Sequence, residues 1–492
     1  MKQLRVLAVF VVLANIALVA FLVLRSGKGE GQAGPVSIRD AVKPLVSDAA
    51  MDDSAYDLKS RAGELNIIFI SMDAMRYDRT GFGGNPDGLT PNLDRFAEEA
   101  VVFQNATTVA PWTLPSHMSI WTGRWPSVHG VTNKLKMLSA DQMVPTSLSP
   151  GIETFPDHLI RAGYTAAAFT GGAGVQASYG FGRGFSTYLD DKPFAGYDYS
   201  VAPALEWLGK NRDKHFFLFL HGYDAHGQHP LDGISPRDAV PEYKGTMDGS
   251  VEEQAKLREQ GLATITQPGQ APDLSGTVSK EDVAFLKKVY DKKVKIADER
   301  LGSFLAQLRA MGLLDTSIIV IFGDHGDEFL EHGYLDHGAT LCEHQLHVPV
   351  LMRFPGYTRK NEVAEPIRTI DLFPTVFDAL GLAGPAGSDG QSVLPILRGK
   401  PDDRLIFAET DYRLFVHQRM KRSGDKKLVL DLEDGGKQLY DVKIDPDEQT
   451  DISSSSARET YEMEQSLRTW MDATRTNPQD YLNTRQTPIE LF

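Results

Sequence analysis

The chain has 492 residues, enough for one large domain and a smaller one. Its formal charge of −15 leaves no basic face for a nucleic acid, and its apolar and charged fractions are those of an ordinary globular protein. The single cysteine, Cys342, excludes an internal disulfide; with no CxxC or Cys/His cluster, zinc-ribbon and thioredoxin-like folds are excluded, and Cys342 reads as a small buried hydrophobe.

At the N-terminus Lys2 and Arg5 precede a charge-free run from Val6 to Leu24, apolar but for Asn15 and long enough to span a bilayer. Residues 1–25 are expected to be a signal anchor, favoured over a cleaved signal peptide, with the N-terminus in the cytoplasm. No cysteine follows, so the chain is no lipoprotein. The body is therefore expected to be exported, membrane-anchored, and periplasmic or extracellular. Residues 26–61 read as a polar linker.

A continuously apolar strand, Leu65 to Ser71, opens the body and runs into Asp73. Pro91 to Glu99 reads as a helix. Ala110 to Arg124 reads as a loop running into a helix, with Thr113 capping its start, Pro115 in its first turn and Gly123 ending it. A hydroxyl there meets backbone N–H groups and the positive end of the helix dipole, a favourable place to hold or attack a tetrahedral anion. Helix and strand then alternate: Glu153–Ala162, Tyr164–Thr170, Val201–Gly209 and Phe216–His221. A polar stretch from about His229 to Ser279 suits an insertion over the active face. A long amphipathic helix spans about Glu281 to Met311, followed by strands Ser317–Phe322 and Val348–Arg353. The alternation predicts an α/β fold, a mostly parallel sheet sandwiched by helices, over 62–400. From 401 to 492 short strands, a hairpin around Glu433–Gly436 and a closing helix, Ala457–Thr474, predict a small antiparallel α+β subdomain.

In parallel sheets ligands bind beyond the carboxyl ends of the strands, where Asp73, Asp224, Asp324 and His325 fall. Asp73, Asp324 and His325 are hard or borderline metal ligands, and Thr113 would complete a site around one divalent cation. Such a cation would lower the hydroxyl pKa and polarise an ester oxygen.

These segments resemble the sulfatase family of the alkaline phosphatase superfamily. Asp73 matches the family's first metal aspartate, Thr113-Leu114-Pro115-Ser116-His117 with Thr122-Gly123-Arg124 its signature, and Asp324-His325-Gly326 its later metal motif. Glu343, Val348-Pro349, Ile370–Thr375, Asp389–Ser392 and Leu439–Asp441 match further signatures. The resemblance implies a metal-dependent ester hydrolase, with calcium or magnesium as the family's usual cation, whereas His325 admits zinc or manganese. The departures are specific. Sulfatases oxidise a Cys or Ser to formylglycine; position 113 is Thr, so no formylglycine is expected. The signature Arg is His117, the second metal Asp is Ala74, the family's Lys and His near the leaving group are missing around Gly171–Val175, and His337 stands for a Lys. A Thr nucleophile with an Asp-His pair resembles the superfamily's phosphodiesterases and lipid-head-group phosphotransferases. His226 matches the substrate-site His. His226 and His337 are assigned to the ester oxygens or leaving group, and His117 to orienting Thr113 or binding an oxygen. The expected substrate is a sulfate or phosphate ester, with phosphodiester preferred chemically. The alternatives are a membrane-anchored phospho-head-group transferase and a degenerate binding protein.

Overall fold

The computed structural model describes residues 56–139, 142–267 and 269–474. The apolar run Val6–Leu24 and most of the expected linker lie outside the described residues. Among the described residues no helix is long and apolar enough to cross a membrane. The last linker residues belong to the body: Tyr56 is buried edge-on against Phe354, and the Leu58 N–H bonds the Ala379 carbonyl.

Eight strands form the central sheet. Their spatial order is Asn361–Val363, Val101–Phe103, Val350–Arg353, Ser317–Gly323, Asn66–Met72, Phe216–Gly222, Thr165–Phe169 and Thr187–Leu189. The last five run parallel. Val350–Arg353 runs antiparallel to both its neighbours, a direction the apolar pattern alone does not report. The three central strands, Asn66–Met72, Phe216–Gly222 and Ser317–Gly323, are buried along their whole length, as an unbroken apolar run requires when both faces are covered.

One face of the sheet, including Ile68, Ile70, Leu218 and Ile319, packs with the helices Pro91–Ala97, Tyr197–Lys210 and Lys280–Ala310 into one core. The long helix starts on a capping box in which Ser279 and Asp282 exchange hydrogen bonds, worth about 1 kcal/mol. On the other face Phe69 stacks on Phe373 and Trp121 packs edge-on against Phe219. Trp121 belongs to the helix Thr113–Thr122, whose ten residues are all buried. The expected insertion contains a helix not foreseen, Val251–Ala263, capped by Ser250 on the Glu253 N–H.

The C-terminal strands Ile406–Tyr412, Val416–Ser423, Lys426–Asp431 and Lys437–Asp441 form the expected antiparallel sheet, and the helix Ala457–Ala473 closes it. Leu428, Leu439 and Leu467 there share a core with Val109, Trp125 and Ile370 of the larger part.

Candidate active site

Three parallel strands end side by side, so the residues that follow them converge. Asp73 follows Asn66–Met72, and Asp324 and His325 follow the adjacent Ser317–Gly323. One oxygen or nitrogen of each of the three lies within 4.8 Å of the others, a spacing that suits one cation. Thr113 Oγ1 donates to Asp73 Oδ2 at 3.1 Å and lies 3.2 Å from His325 Nε2. The four residues proposed from sequence as metal ligands are thus brought together.

Thr113 gets there by a route that differs from expectation. It is the first helical residue, not the cap; the extended Trp112 occupies the cap position and makes no side-chain cap bond. The Thr113 hydroxyl is therefore not spent on its own helix. Gly123 ends the helix as expected, in the left-handed conformation with φ 65°.

Two buried carboxylate oxygens of this cluster, Asp73 Oδ1 and Asp324 Oδ2, have no hydrogen-bond partner. Leaving charged oxygens buried and unpaired is costly, and a cation between them removes that cost. Burial drives both carboxyls well above their usual range, and for Asp324 the charge of Asp73 adds to the effect. His325 and His221 are held neutral by burial, His221 at about 3, and His221 Nε2 lies 3.3 Å from Asp73 Oδ2. A neutral His325 is the form that ligates metal. The residues fit a divalent cation.

Ala74, at the second metal Asp of the resemblance, has φ 55°, a costly conformation for a residue with a Cβ. The turn aims its N–H at Asp324 Oδ1, 3.2 Å away, while its carbonyl accepts from Tyr290 Oη. Backbone here supports the metal motif where the family pattern has a carboxylate. Asp324 Oδ1 also accepts from the His325 N–H at 2.9 Å, which fixes the carboxylate. Gly326 is required by space: a Cβ there would meet the His344 carbonyl oxygen at 2.1 Å.

The remaining signature residues act through the backbone. Ser116 Oγ donates to the Asp324 carbonyl at 2.8 Å and pairs with Thr108 Oγ1 at 3.0 Å. His117, fully buried beneath the helix, bonds the Thr113 carbonyl through Nδ1 at 2.9 Å and Ser71 Oγ through Nε2 at 2.8 Å. Its Nδ1 also lies 3.3 Å from Asp324 Oδ2. His117 makes no bond to the Thr113 hydroxyl and does not line the pocket. His117 therefore reaches Thr113 through the main chain alone.

Above Thr113 opens a pocket of about 350 Å³, lined by Gly174, Tyr223, His226, His337, Arg258 and Arg413 among others. The His226 and His337 rings are 5.0 Å apart, and His337 is 4.2 Å from the His325 ring. His337 Nδ1 contacts Asp327 Oδ1 at 2.7 Å and Asp336 Oδ1 at 2.6 Å, leaving Nε2 to the pocket. Burial opposes charge on His337, but Asp336 and Asp327 outweigh it and hold its pKa well above the usual value. The same two carboxylates favour the protonated form of His337, while burial, reinforced by the charge on His337, favours neutral His226. Asp336 also binds Arg258 at 3.0 Å, and it adopts φ 101°, a strained conformation at the edge of the site.

Asp224, at the end of Phe216–Gly222, does not join the cluster. It pairs with Arg300 and accepts from the Tyr197 N–H at 2.7 Å, a structural duty. Glu343 is paired with Lys427 and Arg422. Sequence reading missed Asp327, Asp336, His221, Tyr223 and Gly174. Asp327 follows directly on the Asp324-His325-Gly326 motif, and His221 and Tyr223 sit at the carboxyl end of a predicted strand; those positions were the available signal.

The sulfatase family model matches residues 65–382, well over half of the chain, and a model described as N-sulphoglucosamine sulphohydrolase, C-terminal, matches residues 330–477. A Delta 4,5-hexuronate-2-O-sulfatase of Bacteroides thetaiotaomicron is 24% identical over 417 residues, covering 79% of this chain and 84% of that protein. Arylsulfatase K of Mus musculus is 22% identical, covering 82% and 78%. Among solved structures, a protein in complex with its substrate D-glucosamine-2-N,6-O-disulfate aligns at TM-score 0.66 and 21% identity, over 84% of this chain and 99% of its own. The phosphonate monoester hydrolase of Agrobacterium radiobacter aligns at TM-score 0.66 and 19% identity, over 83% and 96%.

Proposed function

The chain belongs to the sulfatase family of ester hydrolases, and within it we propose a metal-dependent hydrolase that attacks sulfate or phosphate esters through Thr113. One observation carries the reading: the Thr113 hydroxyl reaches both Asp73 and His325, beside two buried carboxylate oxygens that accept no hydrogen bond. Asp73, Asp324, His325 and the Thr113 hydroxyl would hold the cation. When bound, the cation supplies positive charge that favours the Thr113 alkoxide and draws electron density from the ester. The imidazole ligand favours zinc or manganese over calcium or magnesium.

Thr113 Oγ1, its hydroxyl proton released to solvent, attacks phosphorus or sulfur in line, forming an ester to Thr113 as the bond to the leaving oxygen breaks. His337, cationic and held by two carboxylates, donates its proton to that oxygen, and neutral His226 binds a non-bridging oxygen. Water then hydrolyses the Thr113 ester. Oxidation of threonine gives no formylglycine aldehyde, so resolution by hydrate collapse is closed to this chain, and a phosphoester is the substrate such an alkoxide suits best. Among the relatives, a phosphonate monoester hydrolase shares the fold. Arg258 and Arg413 on the pocket wall suit a substrate with a further anionic group.

We further propose export and membrane anchoring, on the strength of Lys2, Arg5 and the run Val6–Leu24. Fractionation tests this: protein released from membranes by alkaline wash contradicts an anchor. The substrate class is tested by a panel of aryl sulfate, phosphate monoester and phosphodiester with the purified protein under several divalent metals. Phosphodiester turnover above sulfate turnover, abolished in Thr113→Ala, is the expected result. Sulfate turnover that survives Thr113→Ala overturns the assignment.

A further inference from the structure

The expectation that no Cys/His cluster exists holds along the sequence but not in space. The sole cysteine, Cys342, meets His332 and His344, with one ring nitrogen of each histidine and the sulfur all within 4.8 Å of one another. Cys342 is buried, and His344 is only 9% exposed. His344 Nδ1 and His332 Nε2 are both buried without a hydrogen-bond partner. Two adjacent unpaired imidazole nitrogens next to a thiol are an unusual loss to leave uncompensated.

The surroundings are arranged as a ligand shell requires. His344 Nε2 bonds Asp447 Oδ1 at 3.1 Å, which fixes the ring so that Nδ1 presents its lone pair. A carboxylate behind a histidine is the arrangement that orients metal-ligating imidazoles. The contacts of the Cys342 sulfur are long: it faces Thr340 Oγ1 at 3.4 Å, a hydroxyl that also lies 2.8 Å from Glu328 Oε2, and the thiol reaches Glu328 Oε2 only at 3.6 Å. The two histidine rings stand 6.1 Å apart at 51°, a separation a single ion can bridge.

We propose that His332, Cys342 and His344 bind a zinc-class cation, separate from the Thr113 site. The donor set of one thiolate and two imidazoles is borderline-soft and selects zinc over calcium or magnesium. A tetrahedral zinc needs sulfur and nitrogen ligands about 3.3–3.8 Å apart, so the three side chains need draw in by no more than about 1.5 Å. On binding, Cys342 releases its thiol proton to solvent and forms the sulfur–metal bond; no oxidant or reductant is involved. Three protein ligands leave one coordination position open, and half-buried His332 provides the way in from solvent.

The ion has a structural task. His332 lies in the turn between the paired segments Glu328–Phe329 and Leu335–Asp336, and that hairpin delivers Asp327 at one end and His337 at the other. The His344 carbonyl abuts Gly326 of the metal motif. Joining His332 to Cys342 and His344 clamps this hairpin against the floor of the active site.

Cobalt substitution of the purified full chain is the test. Cobalt in this site gives a near-ultraviolet sulfur-to-cobalt charge-transfer band. The band is expected in the wild type, is retained in Asp73→Asn, which disables the Thr113 site, and is lost in Cys342→Ser and in His344→Gln. Metal analysis of zinc-loaded protein is expected to fall by one equivalent in the same two variants and not through the Thr113 site. Should Cys342→Ser fail to fold, the wild-type spectrum and His344→Gln still decide. A cobalt-loaded wild type without the band, or a band that survives Cys342→Ser, overturns the proposal.

Discussion

Gly174→Ala tests how tightly the Thr113 hydroxyl is placed. A Cβ at 174 would lie 2.8 Å from Thr113 Cβ and 2.9 Å from Thr113 Cγ2, with Tyr223 Oη at 3.2 Å. Carbon atoms in ordinary contact sit about 3.5–4.0 Å apart, so the overlap with Thr113 approaches 1 Å. The loop cannot simply retreat: the Gly174 N–H is bonded to Tyr223 Oη at 2.9 Å, and Gly172 takes φ 62° with the Asp190 carbonyl closing off its Cβ position. Thr113 must therefore turn or shift. Overpacking of this size costs about 1–3 kcal/mol in stability. Displacing a reacting atom by about 1 Å costs on the order of 10²-fold in rate. The variant is expected to lose about 10- to 100-fold in kcat on a chromogenic ester, with a small fall in thermal midpoint. Gly63→Ala, where nothing lies within 4 Å of the new Cβ, is the control and keeps wild-type behaviour. Wild-type kcat in Gly174→Ala would refute the claim that Thr113 is held in one reactive position.

Ser116→Ala leaves the Asp324 carbonyl without its buried side-chain donor, while Thr108 keeps its bond to the Ala110 carbonyl, and is expected to cost about 1–3 kcal/mol in denaturant unfolding, with weaker metal retention. His337→Gln removes the cationic donor; the expected loss is about 10²–10⁴-fold on esters with alkyl leaving groups and little on nitrophenyl esters, so equal loss on both contradicts a proton-donor role. Burial raises the Asp73 and Asp324 pKa values in the metal-free site, so each holds its proton to higher pH than an ordinary carboxyl. A cation must displace those protons. Metal affinity measured by calorimetry is therefore expected to weaken as pH falls below neutrality, with protons released on binding; affinity independent of pH contradicts the ligand assignment.

The main strands were legible because a strand buried on both faces must be apolar throughout, as Asn66–Met72 and Phe216–Gly222 nearly are. The carboxyl-end rule then located Asp73, Asp324 and His325 without any knowledge of strand order. Strand direction is carried by long-range pairing, so the antiparallel Val350–Arg353 was not readable from its own residues. Thr113 shows a finer limit. By sequence Thr113 is the favoured cap, and only the extended backbone of Trp112 moves the cap position one residue earlier. His117 looked like a site residue because it shares a motif with Thr113. Four residues along a helix return it to the same face, but one turn deeper, against Ser71. Asp224 fell at the right end of the right strand, yet Arg300 claims it. The Val251–Ala263 helix carried its own signal, Ser250 three residues before Glu253, inside a stretch whose polarity masked it. The meeting of His332, Cys342 and His344 depends on a hairpin turn and has no pattern in the linear spacing.

Attack by Thr113 is tested by acid-quenching the enzyme during turnover of a phosphodiester and sequencing its peptides by mass spectrometry. A phosphoryl ester on Thr113 is expected that accumulates in His337→Gln with activated esters, is absent from Thr113→Ala, and forms only with the divalent cation present. Turnover with no modified Thr113 peptide, continuing in Thr113→Ala at the wild-type rate, would contradict it.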